Sequence, residues 1–262
     1  YSLKRYRFFE IGQDHYYYDD MQTEEQVNHI VNTSYIPLCN TLKEMIRLSK
    51  GRFHCALSIS GVTLEMFQQF APEMIDTLKG LADTGCVEFL GETYSHSLSA
   101  LASAEEFKNE VKLHSKMLKE EFGVKPTAFR NTELIYSDQI GEMVAGLGFK
   151  TILAEGAKHV MGWKSPNYIY TNAIDNSLRV LLRNYKLSDD IAFRFSNQGW
   201  DQYPLTADKF AQWISDENGE VINLFMDYET FGEHQKATTG IFDFMKALPK
   251  AILAQDDMQF AT

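Results

Sequence analysis

A chain of 262 residues, 44% of them apolar, is long enough for one barrel-sized domain and too apolar for wholesale disorder. Its formal net charge of −11 opposes a phosphate backbone or an anionic membrane surface as partner, and no run of about 18 apolar residues is present to span a bilayer. Nucleic acid and membrane are thereby set aside, and a neutral substrate suits the field.

The elements alternate along the chain. Phe53 to Ser60 reads as a strand closed by Gly61; Leu64–Phe70 and Pro72–Thr84 read as helices, the second with Pro in its tolerated first turn. Gly85–Gly91 is the next strand. Ser103–Phe122 is a long helix, with Ser103 as cap and Glu106 in the capping-box position. Ala128–Asn131 is a strand, Ser137–Leu147 a helix, Lys150–Leu153 and Ser177–Leu182 strands. A helix is predicted to begin at Ser188, with Asp189 and Asp190 as its first-turn acids. Ala207–Ser215 is helical, Val221–Met226 a strand, and Gly240–Leu248 a helix. Strands alternating with helices predict a parallel sheet with crossover helices, a barrel first and an open doubly wound sheet second. No linker, repeat or composition shift divides the chain, so one domain over 1–262 is expected.

Cys39, Cys55 and Cys86 are odd in number, widely spaced and form no CxxC pair. Reduced, mostly buried thiols in a cytoplasmic protein are the simplest account, with no metal site and no cofactor expected. No GxGxxG or P-loop segment supports a nucleotide site.

In a parallel α/β array, residues after the strands converge on one mouth. Four strand ends are polar there: Glu88 with Glu92, Tyr94 and His96; Arg130, Asn131 and Glu133; Glu155 with Lys158 and His159; and Asp227, Glu229, Glu233 and His234. Glu155 and Glu233, taken singly, read equally well as first-turn acids of a following helix. Aromatic residues make up 13% of the chain, which suits sugar stacking but is also ordinary core material.

Taken in order, these segments resemble the conserved blocks of glycoside hydrolase family 57. Gly85-Cys86-Val87-Glu88-Phe89-Leu90-Gly91-Glu92-Thr93-Tyr94-Ser95-His96 resembles the second block, Asn131-Thr132-Glu133 the third, and Asp227-Tyr228-Glu229-Thr230-Phe231-Gly232 the fourth. The run through Ser165-Pro166 and Lys186–Ile191 is similar to the α-amylase-type members. The resemblance implies a distorted (β/α)7 barrel and retaining action on α-glucans, an oligo- or polysaccharide being the partner. It assigns Glu133 as nucleophile and Asp227 as general acid/base. Glu88 and His96 are expected to meet sugar hydroxyls and Trp163 and Trp200 to offer stacking faces; Glu229 is expected to bind substrate and, as a neighbouring carboxylate, to favour the protonated form of Asp227, with Asp189 a minor candidate. The first block, a strand ending in His-Gln-Pro, has no counterpart, so the barrel is expected to be incomplete at its N-terminal strand. Arg130 stands where many members have Trp, and the fifth block and the C-terminal helical region are not identified. Hydrolysis, 4-α-glucanotransfer and silent glucan binding all fit these blocks; a metal-dependent deacetylase on a related barrel would need an Asp and a His pair, which the spacing does not offer.

Overall fold

Between Asp20 and Leu48 the chain forms two helices beyond those expected above, the first of which apolar periodicity does not announce. They are α1 (Asp20–Ile30) and α2 (Ile36–Leu48), joined by a π-helical turn over Val31–Tyr35. Only Thr23 and Val27 of α1 are buried, too sparse a stripe to register as amphipathic. The π turn has a local cause. Pro37 has no N–H, so it cannot donate to the carbonyl four residues back, that of Thr33; Ile36 N–H instead reaches Val31 O, five residues back.

The computed structural model describes residues 1–13, 15–255 and 257–262. After α2 the chain runs β1 (Cys55–Leu57), α3 (Gly61–Phe70), α4 (Pro72–Ala82), β2 (Val87–Phe89), α5 (Ser99–Ala102), α6 (Ala104–Phe122) and β3 (Ala128–Arg130). Then come α7 (Asp138–Gly146), β4 (Thr151–Ala154), α8 (Lys158–Met161), β5 (Tyr170–Thr171), β6 (Arg179–Leu182), α9 (Tyr185–Ala192) and α10 (Ala207–Asp216). The last elements are β7 (Phe231–Gly232), β8 (Gln235–Lys236) and α11 (Ile241–Ile252).

β1 and β2 pair in parallel, as do β3, β4 and β6 in that order, with β5 antiparallel on the free edge of β6; β7 and β8 form a separate short pair. Single parallel bridges, Gly91 with Phe129 and Arg183 with Asn223, join the sheets into one arc. Its parallel order is β1, β2, β3, β4, β6 and the Asn223 segment. The α/β class with parallel crossovers is as expected, but the hydrogen bonding forms short sheets and not a seven-stranded barrel. The predicted strand Val221–Met226 shrinks to the bridge at Asn223 because side chains take its backbone groups. Phe225 N–H donates to Ser188 Oγ, and Phe225 O accepts from Arg183 Nε.

Gly91 is where the pairing changes partner: Leu90 N–H bonds Leu57 O on one side, while Gly91 N–H bonds Ala128 O on the other. A Cβ at Gly91 would lie 2.5 Å from the Phe149 ring, so only glycine leaves room for that ring where the chain crosses from β2 to β3. The helices bury two faces. The larger core gathers apolar residues of α2, α3, α4, α10 and α11, and a second core centres on Phe107, Phe129, Ile152 and Val180. The helix predicted from Ser188 in fact starts at Tyr185, because Asn184 Oδ1 accepts Leu187 N–H and caps it there.

Candidate active site

Two loops that leave adjacent strands meet at the mouth of the arc. After β2, Glu92 turns inward and is only 2% exposed. Ser58 Oγ, beyond β1, donates to its Oε1 at 2.9 Å. Its backbone N–H donates to His114 Nδ1 of α6, whose Nε2–H donates to Ile59 O at 2.8 Å. This pair of bonds requires the neutral Nε2–H tautomer, and burial holds the His114 pKa below its ordinary value. Four residues on, His96 adopts φ +52° and sets its ring between two carboxylates, Nδ1 at 3.4 Å from Glu92 Oε2 and Nε2 at 3.0 Å from Glu133 Oε1.

Glu133 is itself left-handed, at φ +54°, as is Leu134 at +55°. Each such non-glycine residue costs about 1–3 kcal/mol and persists only where its surroundings over-determine it. The surroundings here are hydroxyls. Thr132 donates to Ser97 O at 2.6 Å, so the Thr93 hydroxyl supplies the proton of the 3.0 Å Thr93–Thr132 contact, and Ser97 N–H donates to Thr93 Oγ1. Asn131 Nδ2 donates to Ile135 O, closing the turn that carries Glu133. Glu110 of α6 receives Ser95 N–H and the Ser97 hydroxyl. The result is a carboxylate presented outward, 71% exposed, on a braced turn.

The charges follow from the contacts. The Glu92 hydrogen bond is the leading influence raising the His96 pKa, with Glu133 adding to it and burial and Arg130 opposing. The buried carboxylate outweighs the nearer exposed one because water screens it less. The imidazole in turn holds Glu133 below the usual carboxylate range, with Arg130 contributing.

Asp227 lies on the same rim, past the Asn223 bridge, exposed, as the cap residue of a single 3-10 turn over Tyr228–Thr230. What fixes that turn comes from the π segment. Ser34 Oγ donates to Tyr228 O, Cys39 Sγ lies 3.0 Å from the Tyr228 hydroxyl, and the Tyr35 ring packs edge-on to both Tyr228 and Phe67. Burial, then the charges of Glu229 and Asp227, push the Tyr35 phenol up to about 12. The glycine of the Asp-x-Glu-x-Phe-Gly block has a steric reason. Gly232 sits at φ +109° with its Cβ direction 2.1 Å from Thr33 O, the carbonyl Pro37 leaves free. Gly232→Ala should destabilise the protein by roughly 2–4 kcal/mol, a sum of left-handed strain and overpacking. Denaturant unfolding measures it, and a loss below about 0.5 kcal/mol, the scale of a surface change, would show that the segment moves freely.

Several predicted residues go elsewhere. Glu88 is the middle residue of β2 and accepts from Thr127, which precedes β3, whereas Glu133 follows β3. It therefore lies toward the opposite end of the array from the mouth; the acid this block sends to the mouth is Glu92, which shares its block but is hidden from a sequence reading because only burial distinguishes the two. Trp200 is half-buried edge-on to Trp213 and packs on the larger core, so it is not an open stacking face. Trp163, in contrast, is 92% exposed. Glu155 and Asp189 both bind Arg183, which ties β4, β6, α9 and Phe225 O together. Asp190 pairs with Arg194 inside and just past α9, and neither acid is in the helix's first turn. Glu233 is taken by His29, Thr33 and Lys236, while His159 and His234 are exposed. Cys39 and Cys86 are buried and Cys55 partly so, all with free thiols. Among the described residues no group of three His, Cys, Asp or Glu is placed to hold a metal, and no helix is long and apolar enough to cross a membrane.

The sequence matches Glycosyl hydrolase family 57 over residues 2–262. It is 46% identical over 244 residues to a protein of Methanocaldococcus jannaschii named "Putative alpha-amylase", covering 93% of this chain and 51% of that one. The chain thus spans about half the length of this relative. Its fold is similar to that of the 4-alpha-glucanotransferase of Thermococcus litoralis, with a TM-score of 0.72 at 17% identity over 91% of this chain and 36% of the other. It is also similar to a GH57 branching enzyme of Thermococcus kodakaraensis, with a TM-score of 0.68 at 13% identity over 91% and 66%. With its third and fourth blocks opening on one rim, and the match running almost from end to end, the chain belongs to glycosyl hydrolase family 57.

Proposed function

We propose that this chain is a single catalytic domain of barrel type that cleaves α-1,4-linked glucans with retained anomeric configuration. The observation that carries the reading is Glu133, ionised and held by His96 on a strained turn, facing the same rim as Asp227 in a chain of this family. Glu133 attacks the anomeric carbon and forms a glycosyl ester as the glycosidic bond breaks, while Asp227 gives its proton to the departing oxygen. Asp227 then takes a proton from water, whose oxygen displaces Glu133 and restores the configuration. Neither step needs a cofactor. Trp163 and Glu229 are assigned to contacts with the sugar chain.

The name of the Thermococcus litoralis protein supports a second reading, in which another sugar hydroxyl replaces water in the second step. One experiment separates the possibilities. A maltooligosaccharide of single length is incubated with the protein, and products are followed by chromatography and by the anomeric proton signals in NMR. Shorter products of retained α configuration are expected. Products longer than the substrate select transfer, binding without any product selects a silent glucan-binding domain, and β-anomers at first release would overturn the double displacement.

A further inference from the structure

Resting on the reading of Glu133 as nucleophile, we propose that His96 is a positioning residue for that carboxylate and not a sugar ligand: buried Glu92 orients the imidazole, and the imidazole fixes Glu133 in its strained turn at the reacting position. Both faces of the ring are spoken for. Nδ1 points to Glu92 and Nε2 to Glu133, so when the ring is protonated both N–H groups have carboxylate acceptors, which leaves none for a sugar hydroxyl. Glu92 in turn cannot swing away, since Ser58 beyond β1 and His114 on α6 bind its side chain and its backbone. The groups that face His96 are thus Glu92 from the β2 end and Glu133 and Arg130 from the β3 end. His96 and Glu133 both spend left-handed backbone conformations to meet. Such strain on two facing residues, from two different strands, is expected where the contact itself is selected.

The signs agree. A doubly bonded imidazolium stays charged to higher pH than a free one, and its charge keeps Glu133 ionised to lower pH. The imidazolium's support for Glu133 is therefore present below the His96 pKa, itself raised above the ordinary value, and is lost as pH rises through it. Without His96, Glu133 must protonate at a higher pH than before, so the acid limb of kcat/KM should move upward.

The test uses His96→Gln and Glu92→Gln beside the native protein, each assayed for kcat, KM and pH dependence on the maltooligosaccharide. For His96→Gln a loss on the order of 100-fold in kcat is expected from misplacement of the attacking oxygen, with KM little changed and the acid limb shifted to higher pH. Glu92→Gln should give a smaller shift of the same sign. A raised KM with kcat and the limb unchanged would overturn the proposal, because that is the mark of a lost sugar contact. NMR titration of the His96 ring needs no substrate. Its midpoint should lie above the ordinary imidazole value and fall in both Glu92→Gln and Glu133→Gln; an unmoved midpoint also overturns the pairing. If Glu133→Ala retained turnover, the nucleophile assignment would fail while this titration still decided what His96 binds.

Discussion

Glu133→Ala should lower kcat on an α-glucan by on the order of 10⁴-fold or more, and Asp227→Ala by a comparable factor, with the fold unchanged. The two losses are expected to differ in kind. An aryl glucoside with a good leaving group does not need protonation to depart, so Asp227→Ala should recover much of its first-step rate on such a substrate. Glu133→Ala should recover nothing, because no leaving group replaces a missing nucleophile. Single-turnover release of the aryl group measures this. Equal losses on both substrates would remove Asp227 from the acid's role, and full activity in either variant would remove that residue from the mechanism. Neither change should unfold the protein. Both side chains are exposed, and each sits on a turn held by its neighbours' hydrogen bonds.

Phe129→Ala should cost about 3–5 kcal/mol, the range for emptying a buried aromatic site. The ring is fully buried, edge-on to Phe107 at 5.8 Å and tilted against Phe149 at 5.0 Å. These contacts join β3, α6 and the entry to β4, so collapse of the cavity would disturb several elements at once. Against a total of roughly 5–15 kcal/mol the loss is a large share, and thermal unfolding should fall by about 6–20 °C. Phe129 pairs with Gly91 and directly precedes Arg130, so activity should drop beyond what the unfolded fraction explains. A fall of less than about 2 °C would mean that the second core repacks without it.

The distribution of what was legible follows from range. Caps act over three residues, and the predicted one stands: Ser103 accepts Glu106 N–H. The apolar runs that became β3 and β4 are largely buried on both faces, which writes them into the sequence as short continuous stretches. Where a segment's state depends on a distant side chain, the pattern misleads. Val221–Met226 has a strand's composition, yet Arg183 and Ser188 divert its backbone groups; α1 has a weak local signal but is packed against α3.

The same division runs through the candidate site. Residue order alone determined the α/β class, the parallel crossovers and the two blocks that carry Glu133 and Asp227, because the first two follow from the order of short local elements and each block is a run of consecutive residues. Only the folded chain decided that Glu92 and not Glu88 reaches the mouth, that His96 closes on Glu133, and that Trp200 belongs to the core. It also governs the gap between the two acids. They end segments three strand positions apart in the arc, roughly 14 Å along a flat sheet at 4.7–4.9 Å per step, whereas retention works across about 5–5.5 Å. The proposed double displacement therefore requires the array to curve between β3 and the Asn223 segment, and curvature depends on contacts between distant parts of the chain that no single stretch of sequence contains.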